Sequence, residues 1–118
     1  MRKIQFYRTT SGYCPVEDFL DSLSGKEAQK VAWVLQLIEE LVIMPSQYFK
    51  KLIDTNAIWE VKIKFGSNIF RILGFLASNN MIVLNHAFQK KTQKTPKSAI
   101  KLAEKRKQDF INRERKYE

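Results

Sequence analysis

The sequence predicts an α+β fold in which an antiparallel sheet packs against an N-terminal helical hairpin and a basic helix ends the chain. Three observations predict it. Apolar side chains recur at helical spacing between residues 16 and 42. They alternate with polar ones between residues 58 and 88. They thin out in a Lys- and Arg-rich stretch from residue 90 onward. The implied order is β-α-α-β-β-β-α in a single domain over residues 1–118, a length well inside the usual range for one domain.

Each element has its own signal. Ile4-Gln5-Phe6-Tyr7 reads as a short strand, ended by Ser11-Gly12. Pro15 suits the first turn of a helix, where its missing N–H is no loss. Val16, Phe19, Leu20 and Leu23 then fall on one helical face, and Gly25 is expected to close that helix. Ser24 and Glu27 have capping-box spacing for a second helix. Its apolar face is Ala28, Val31, Leu35, Ile38 and Val42, and Pro45 marks its end. The period then switches from 3.6 to 2. Ile58, Glu60, Lys62 and Lys64 alternate with Trp59, Val61, Ile63 and Phe65. Turns at Gly66-Ser67-Asn68 and Ser78-Asn79-Asn80 separate strands at 69–76 and 81–88, which gives a meander. Thr95-Pro96 reads as a cap and first position for a helix over residues 96 to about 115, with Ala99, Leu102, Ala103, Arg106 and Phe110 on one face.

Composition narrows the function. The formal net charge is +9, from 21 Lys and Arg against 12 Asp and Glu. Residues 1–89 carry 10 basic and 8 acidic side chains, and residues 90–118 carry 11 and 4, so +7 of the +9 lies in the last quarter. Charge concentrated this way points to a polyphosphate backbone as partner. The single cysteine, Cys14, excludes an internal disulfide, and the single histidine, His86, excludes a metal site built on two histidines. The four glycines are scattered at 12, 25, 66 and 74, so no glycine-rich phosphate loop exists. The chain is expected to be cytoplasmic, with no membrane span, no metal and no cofactor.

The chemistry-bearing residues gather on the meander. Glu60, Lys62 and Lys64 share one face of its first strand, Arg71 lies in the middle of the second, and His86 lies near the end of the third. Lys90, Lys91, Lys94 and Lys97 follow. Neighbouring strands place side chains about 5 Å apart, so these groups converge if the register allows. Together they suit metal-free cleavage of an RNA phosphodiester. A 2′-OH loses its proton, a pentacoordinate phosphorane is stabilised by cations, and the 5′-oxygen is protonated. Arginine binds phosphate through a planar fork, which makes Arg71 the candidate clamp.

The segments Ile58-Trp59-Glu60-Val61-Lys62, Phe70-Arg71-Ile72-Leu73 and Leu84-Asn85-His86-Ala87-Phe88-Gln89-Lys90-Lys91-Thr92-Gln93-Lys94-Thr95-Pro96 resemble, in this order, the RelE/ParE superfamily of bacterial toxins. The similarity is to its HigB-type, phage-derived branch and covers about residues 2 to 112; the third segment is the specific one. The resemblance implies a RelE-like fold and a ribosome-dependent endoribonuclease, an mRNA interferase that cuts translated message and arrests growth. It also implies neutralisation by a cognate HigA-like helix-turn-helix antitoxin, with the ribosome and mRNA as the other partners. It assigns Arg71 to the scissile phosphate. Lys90, Lys91 and Lys94 match the basic end that contacts nucleic acid, with Lys97 and Lys64 as neighbours. Glu60, Lys62 and His86 complete the candidate catalytic set. Lys62 stands where many relatives have Arg, and the tyrosine that RelE itself carries in its last helix has no counterpart.

Alternatives stay open for single residues and for the whole chain. Arg71 is either a phosphate clamp or the buried ion-pair partner of Glu60. Glu60 reads more readily as an orienter than as a base, and His86 is either an acid–base group or a half-buried strand residue. Cys14, Trp33 and Trp59 read as packing residues. A ParE-like inhibitor of DNA gyrase and a non-catalytic nucleic-acid-binding module share the same expected fold.

Overall fold

The computed structural model describes residues 1–43, 45–90 and 94–115. It contains β1 (Lys3–Phe6), α1 (Pro15–Asp21), α2 (Gly25–Glu40), β2 (Phe49–Lys51), β3 (Trp59–Phe65), β4 (Asn68–Ser78), β5 (Met81–Lys90) and α3 (Lys97–Arg115). This is the expected α+β, RelE-like arrangement with two differences. The sheet has five strands in the order β1-β5-β4-β3-β2, and β1 runs parallel to β5 while the other pairs are antiparallel. A parallel pair needs a crossover between its strands. Here the helices and three strands intervene between β1 and β5.

The helical hairpin forms as its sequence dictates. Pro15 opens α1. Gly25 is the first residue of α2 rather than the closing residue of α1, because Ser24 and Glu27 build a reciprocal capping box around it. The Ser24 amide donates to Glu27 Oε1 at 2.9 Å and the Glu27 amide to Ser24 Oγ at 3.2 Å. The bond from the Ser24 amide, and then the Ser24 side chain, hold the Glu27 carboxyl below its ordinary range. The faces of α1 and α2 pack Val16, Val31, Val34 and Ile38 on Val61, Ile63, Phe70, Ile72, Ile82 and Leu84 of the sheet.

The opposite sheet face is covered by α3. Ala99 and Ala103 are buried against Ile58 and Leu73, and Phe110 meets Phe75 edge-on with centroids 5.6 Å apart. Small residues at positions four apart let the helix axis approach the sheet closely. A β-bulge sets where it lies. Leu73 pairs with His86 but Gly74 pairs with Leu84, so Asn85 is the extra residue. A Cβ on Gly74 would lie 2.0 Å from the Val83 carbonyl oxygen, which is why glycine stands opposite the bulge. The buried Asn85 donates through Nδ2 to the Ala103 carbonyl at 3.0 Å, and Arg106 donates back to the Asn85 carbonyl at 2.8 Å. Further along, Tyr7 donates to Asp109 Oδ2 at 2.6 Å, and Asp109 also pairs with Arg113 at 2.9 Å. Among the described residues no helix is long and apolar enough to cross a membrane.

Candidate functional site

Strand register brings two of the candidate residues into contact. Lys62 lies opposite Arg71, and Glu60 opposite Leu73, all on the α3 face of the sheet. Within that face the Arg71 guanidinium reaches diagonally and forms an ion pair through NH1 with Glu60 Oε1. Glu60 is 1% exposed and Arg71 6%. The other Glu60 oxygen, Oε2, accepts from the Thr95 hydroxyl at 2.8 Å. Thr95 therefore ties the start of α3 to the sheet, a tertiary role beyond the helix cap that its place before Pro96 suggests.

This pair forms the floor of a cleft of about 250 Å³. Its cationic lining is Arg71 with Lys50, Lys90 and Lys94, and its other walls are Leu52, Ile53, Thr95 and Ile100. Burial holds the Lys90 ammonium below the ordinary lysine range. The Arg71, Lys50 and Lys62 charges push it further down, and Glu60 works against them. Arg71 Nε is buried without a hydrogen-bond partner among the described residues, so one donor of the guanidinium is left unmet inside the protein.

His86 is placed elsewhere. It sits opposite Leu73, which separates it from Glu60 by two strand spacings, about 10 Å. Its ring stacks on Phe88 with centroids 5.3 Å apart, and it is not among the residues lining the cleft. Burial, and then the Arg106 cation, lower its pKa below the ordinary value and favour neutral imidazole. Lys64 is exposed near the far end of β3, opposite Ile69, and Lys97 is exposed in the first turn of α3; neither lines the cleft. Lys62 shares the face with Arg71 and acts on the cleft through its charge on Lys90. Lys91 lies outside the described residues.

Several lining residues escape sequence reasoning. Lys50 comes from β2, an element too short to show a period, and it pairs across the strands with Glu60. Its one sequence signal is the Lys50-Lys51 doublet ahead of the meander. Leu52, Ile53 and Ile100 read only as generic apolar positions. Among the described residues no cluster of three or more His, Cys, Asp or Glu stands ready for a metal ion. The arrangement offers a desolvated arginine, fixed by Glu60 and accompanied by three lysines, in the lining of a cleft whose charge suits an anionic group.

A search of curated proteins finds no match to the chain. The sequence model of the family described as "Phage derived protein Gp49-like (DUF891)" matches residues 18–108, a span that contains β2 to β5, the whole cleft and α2. The match covers well over half of the sequence, and the chain belongs to the Gp49-like family of phage-derived proteins, a family of the RelE/ParE-like toxin type.

Proposed function

We propose that this protein is the HigB-type toxin of a toxin–antitoxin pair, an mRNA interferase that cuts message in the ribosome and is silenced by a helix-turn-helix antitoxin. The observation that carries this reading is the Glu60-oriented Arg71 at the floor of a lysine-lined cleft. A guanidinium fixed by a buried carboxylate is preorganised, so it stabilises a developing phosphorane without reorganising during the reaction. The 2′-oxygen attacks phosphorus as its proton passes to solvent water. The bond to the 5′-oxygen breaks, and a proton goes to that oxygen, leaving a 2′,3′-cyclic phosphate and a 5′-hydroxyl.

The roles follow from position. Both Glu60 oxygens are engaged, one by Arg71 and one by Thr95, so Glu60 orients rather than accepts the proton. Lys90 lines the cleft and holds its proton less tightly than an ordinary lysine, which suits delivery to the 5′-oxygen. This reading gives that task to Lys90 rather than to His86. Lys50 and Lys94 steer and hold the flanking phosphates.

The test is induction of the gene without its partner, followed by mapping of message ends. The reading expects growth arrest, reporter mRNA cut within translated codons, and rescue by a co-expressed antitoxin. Arrest with intact mRNA and lost supercoiling activity would instead identify a gyrase inhibitor and overturn the proposal.

A further inference from the structure

The cationic cleft has an apolar wall, and one of its side chains has no use in the fold. Ile53 is 88% exposed and belongs to no core cluster among the described residues. A single exposed isoleucine is ordinary; the loop that presents this one is not. Asp54 and Ala57 both adopt positive φ, at 58° and 53°, a region that disfavours side chains bearing a Cβ. The loop is nevertheless braced from inside and outside. Thr55 Oγ1 donates to the Leu52 carbonyl at 3.0 Å and accepts from the Ile58 amide at 3.1 Å. From α3, Glu104 accepts from the Asn56 amide at 2.8 Å, and Lys107 donates to the Asn56 carbonyl at 2.7 Å. A strained but tethered loop thus holds an aliphatic side chain in water at the rim of the cationic cleft. Leu52, which also packs against the Ile58, Leu73, Ala99 and Ala103 cluster, and Ile100 continue the apolar surface inward.

We infer that Leu52, Ile53 and Ile100 form a shelf for one unstacked nucleobase, while Arg71, Lys50, Lys90 and Lys94 hold its phosphate. The inference rests on the nucleic-acid reading above and adds a substrate contact to it. A nucleotide presents one charged end and one flat apolar face, and the cleft presents the matching pair of walls. Extruded bases are held by apolar as well as aromatic side chains. An aliphatic shelf carries no donors or acceptors of its own, so it discriminates by contact area and favours purines over pyrimidines.

The test uses the full chain labelled at isoleucine δ1 methyls, with adenosine 5′-monophosphate, ribose 5-phosphate and inorganic phosphate as probes. Adenosine 5′-monophosphate is expected to shift the Ile53 and Ile100 methyls by its ring current and to bind about fivefold more tightly than ribose 5-phosphate, the effect of burying about one methylene equivalent. Ile53→Ser alters only an exposed position, so its fold should hold, and it should erase that preference while leaving inorganic phosphate binding unchanged. A short single-stranded RNA provides the separate check on the underlying reading. If RNA binds but the methyls stay still and the base adds no affinity, the shelf is wrong and the nucleic-acid cleft stands. If neither RNA nor the small phosphates bind, both fall. If nucleotides leave the methyls still and Ile53→Asp instead abolishes binding of a co-expressed protein partner, the wall is a protein contact and the inference is overturned.

Discussion

Replacing Arg71 by alanine, and separately by lysine, separates the structural from the chemical work of this side chain. Arg71→Ala leaves Glu60 as a buried carboxylate without its ion-pair partner, and its one described hydrogen bond comes from Thr95. Removing one partner of a buried ion pair typically costs about 3–5 kcal/mol. Lys90 and Lys50 lie nearby and offset part of the uncompensated charge, so the expected loss is near the lower end, about 3 kcal/mol. For a domain of this size that lowers the melting temperature by roughly 12 °C. Arg71→Lys keeps a cation beside Glu60 and should cost only about 1 kcal/mol, yet it loses the second edge of the guanidinium. If that edge binds the phosphorane, cleavage per folded molecule should fall by about 10²- to 10³-fold, as for loss of one preorganised donor. Urea unfolding followed by circular dichroism gives the first quantity, and single-turnover cutting of ribosome-bound message gives the second. A lysine variant that cuts at the wild-type rate would refute the clamp. An alanine variant as stable as wild type would refute the buried bridge.

Three further outcomes follow from other parts of the molecule. The His86 pKa is lowered in the folded protein, so the unfolded chain takes up its proton first as pH falls; the His86 contribution is intact above about pH 6.5 and is lost on acidification through that value toward the depressed folded pKa. Melting curves between pH 7.5 and 5.5 should therefore slope less in His86→Gln than in wild type, and equal slopes would refute the assignment. Changing Lys50 and Lys94 together to glutamine should weaken binding to single-stranded RNA and flatten its logarithmic salt dependence by about 0.7 for each phosphate no longer neutralised, read by titration at several salt concentrations. Asn85→Ala removes the bond to the Ala103 carbonyl, and about 1 kcal/mol of stability should go with it, since the unpartnered Asn85 Oδ1 it also removes is itself unfavourable. Faster amide exchange at residues 99 and 100 in this variant would show that the hook positions the start of α3; exchange limited to residues near 103 would show that it does not.

The readable parts of the sequence are those with a local physical cause. The 3.6 period locates α1 and α2, and Ser24 with Glu27 fixes the helix junction, although Gly25 opens the second helix where a closing role for the first is expected. The 2-residue period locates β3 to β5, and the strand arginine and Glu60 stand out as a possible pair. What stays hidden depends on long-range geometry. Three residues of β2 carry no period, and nothing local says that β1 will align in parallel with β5. His86 shows the limit most clearly. Strict alternation from Leu84 would turn His86 toward the helical hairpin with Ile82 and Leu84. The bulge at Asn85 reverses the parity, so His86 and Phe88 face α3 while Ala87 joins the hairpin core. A bulge leaves a weak trace in sequence, here only a glycine on the facing strand, and one extra residue moves every later side chain to the other face.

That parity change also explains why the cleft lies where it does. Past the bulge, Phe88 and Lys90 stand on the same face as Arg71, with Phe88 directly opposite it, so Lys90 arrives one step beyond the arginine and not behind the sheet. At the bulge itself, Asn85 and Arg106 lock β5 to α3 in both directions. The start of the helix stands over β3, where Thr95 closes on Glu60. Glu60 thus has an ion pair with a strand neighbour and a hydrogen bond from the residue that leads into α3, and each constrains the other. The ion pair is an expensive way to gain stability, because apolar residues of similar volume fill such sites at least as well. Its presence makes physical sense if the oriented guanidinium is itself the product, a fixed cation lining a cleft whose other cations come from β2, β5 and the approach to α3.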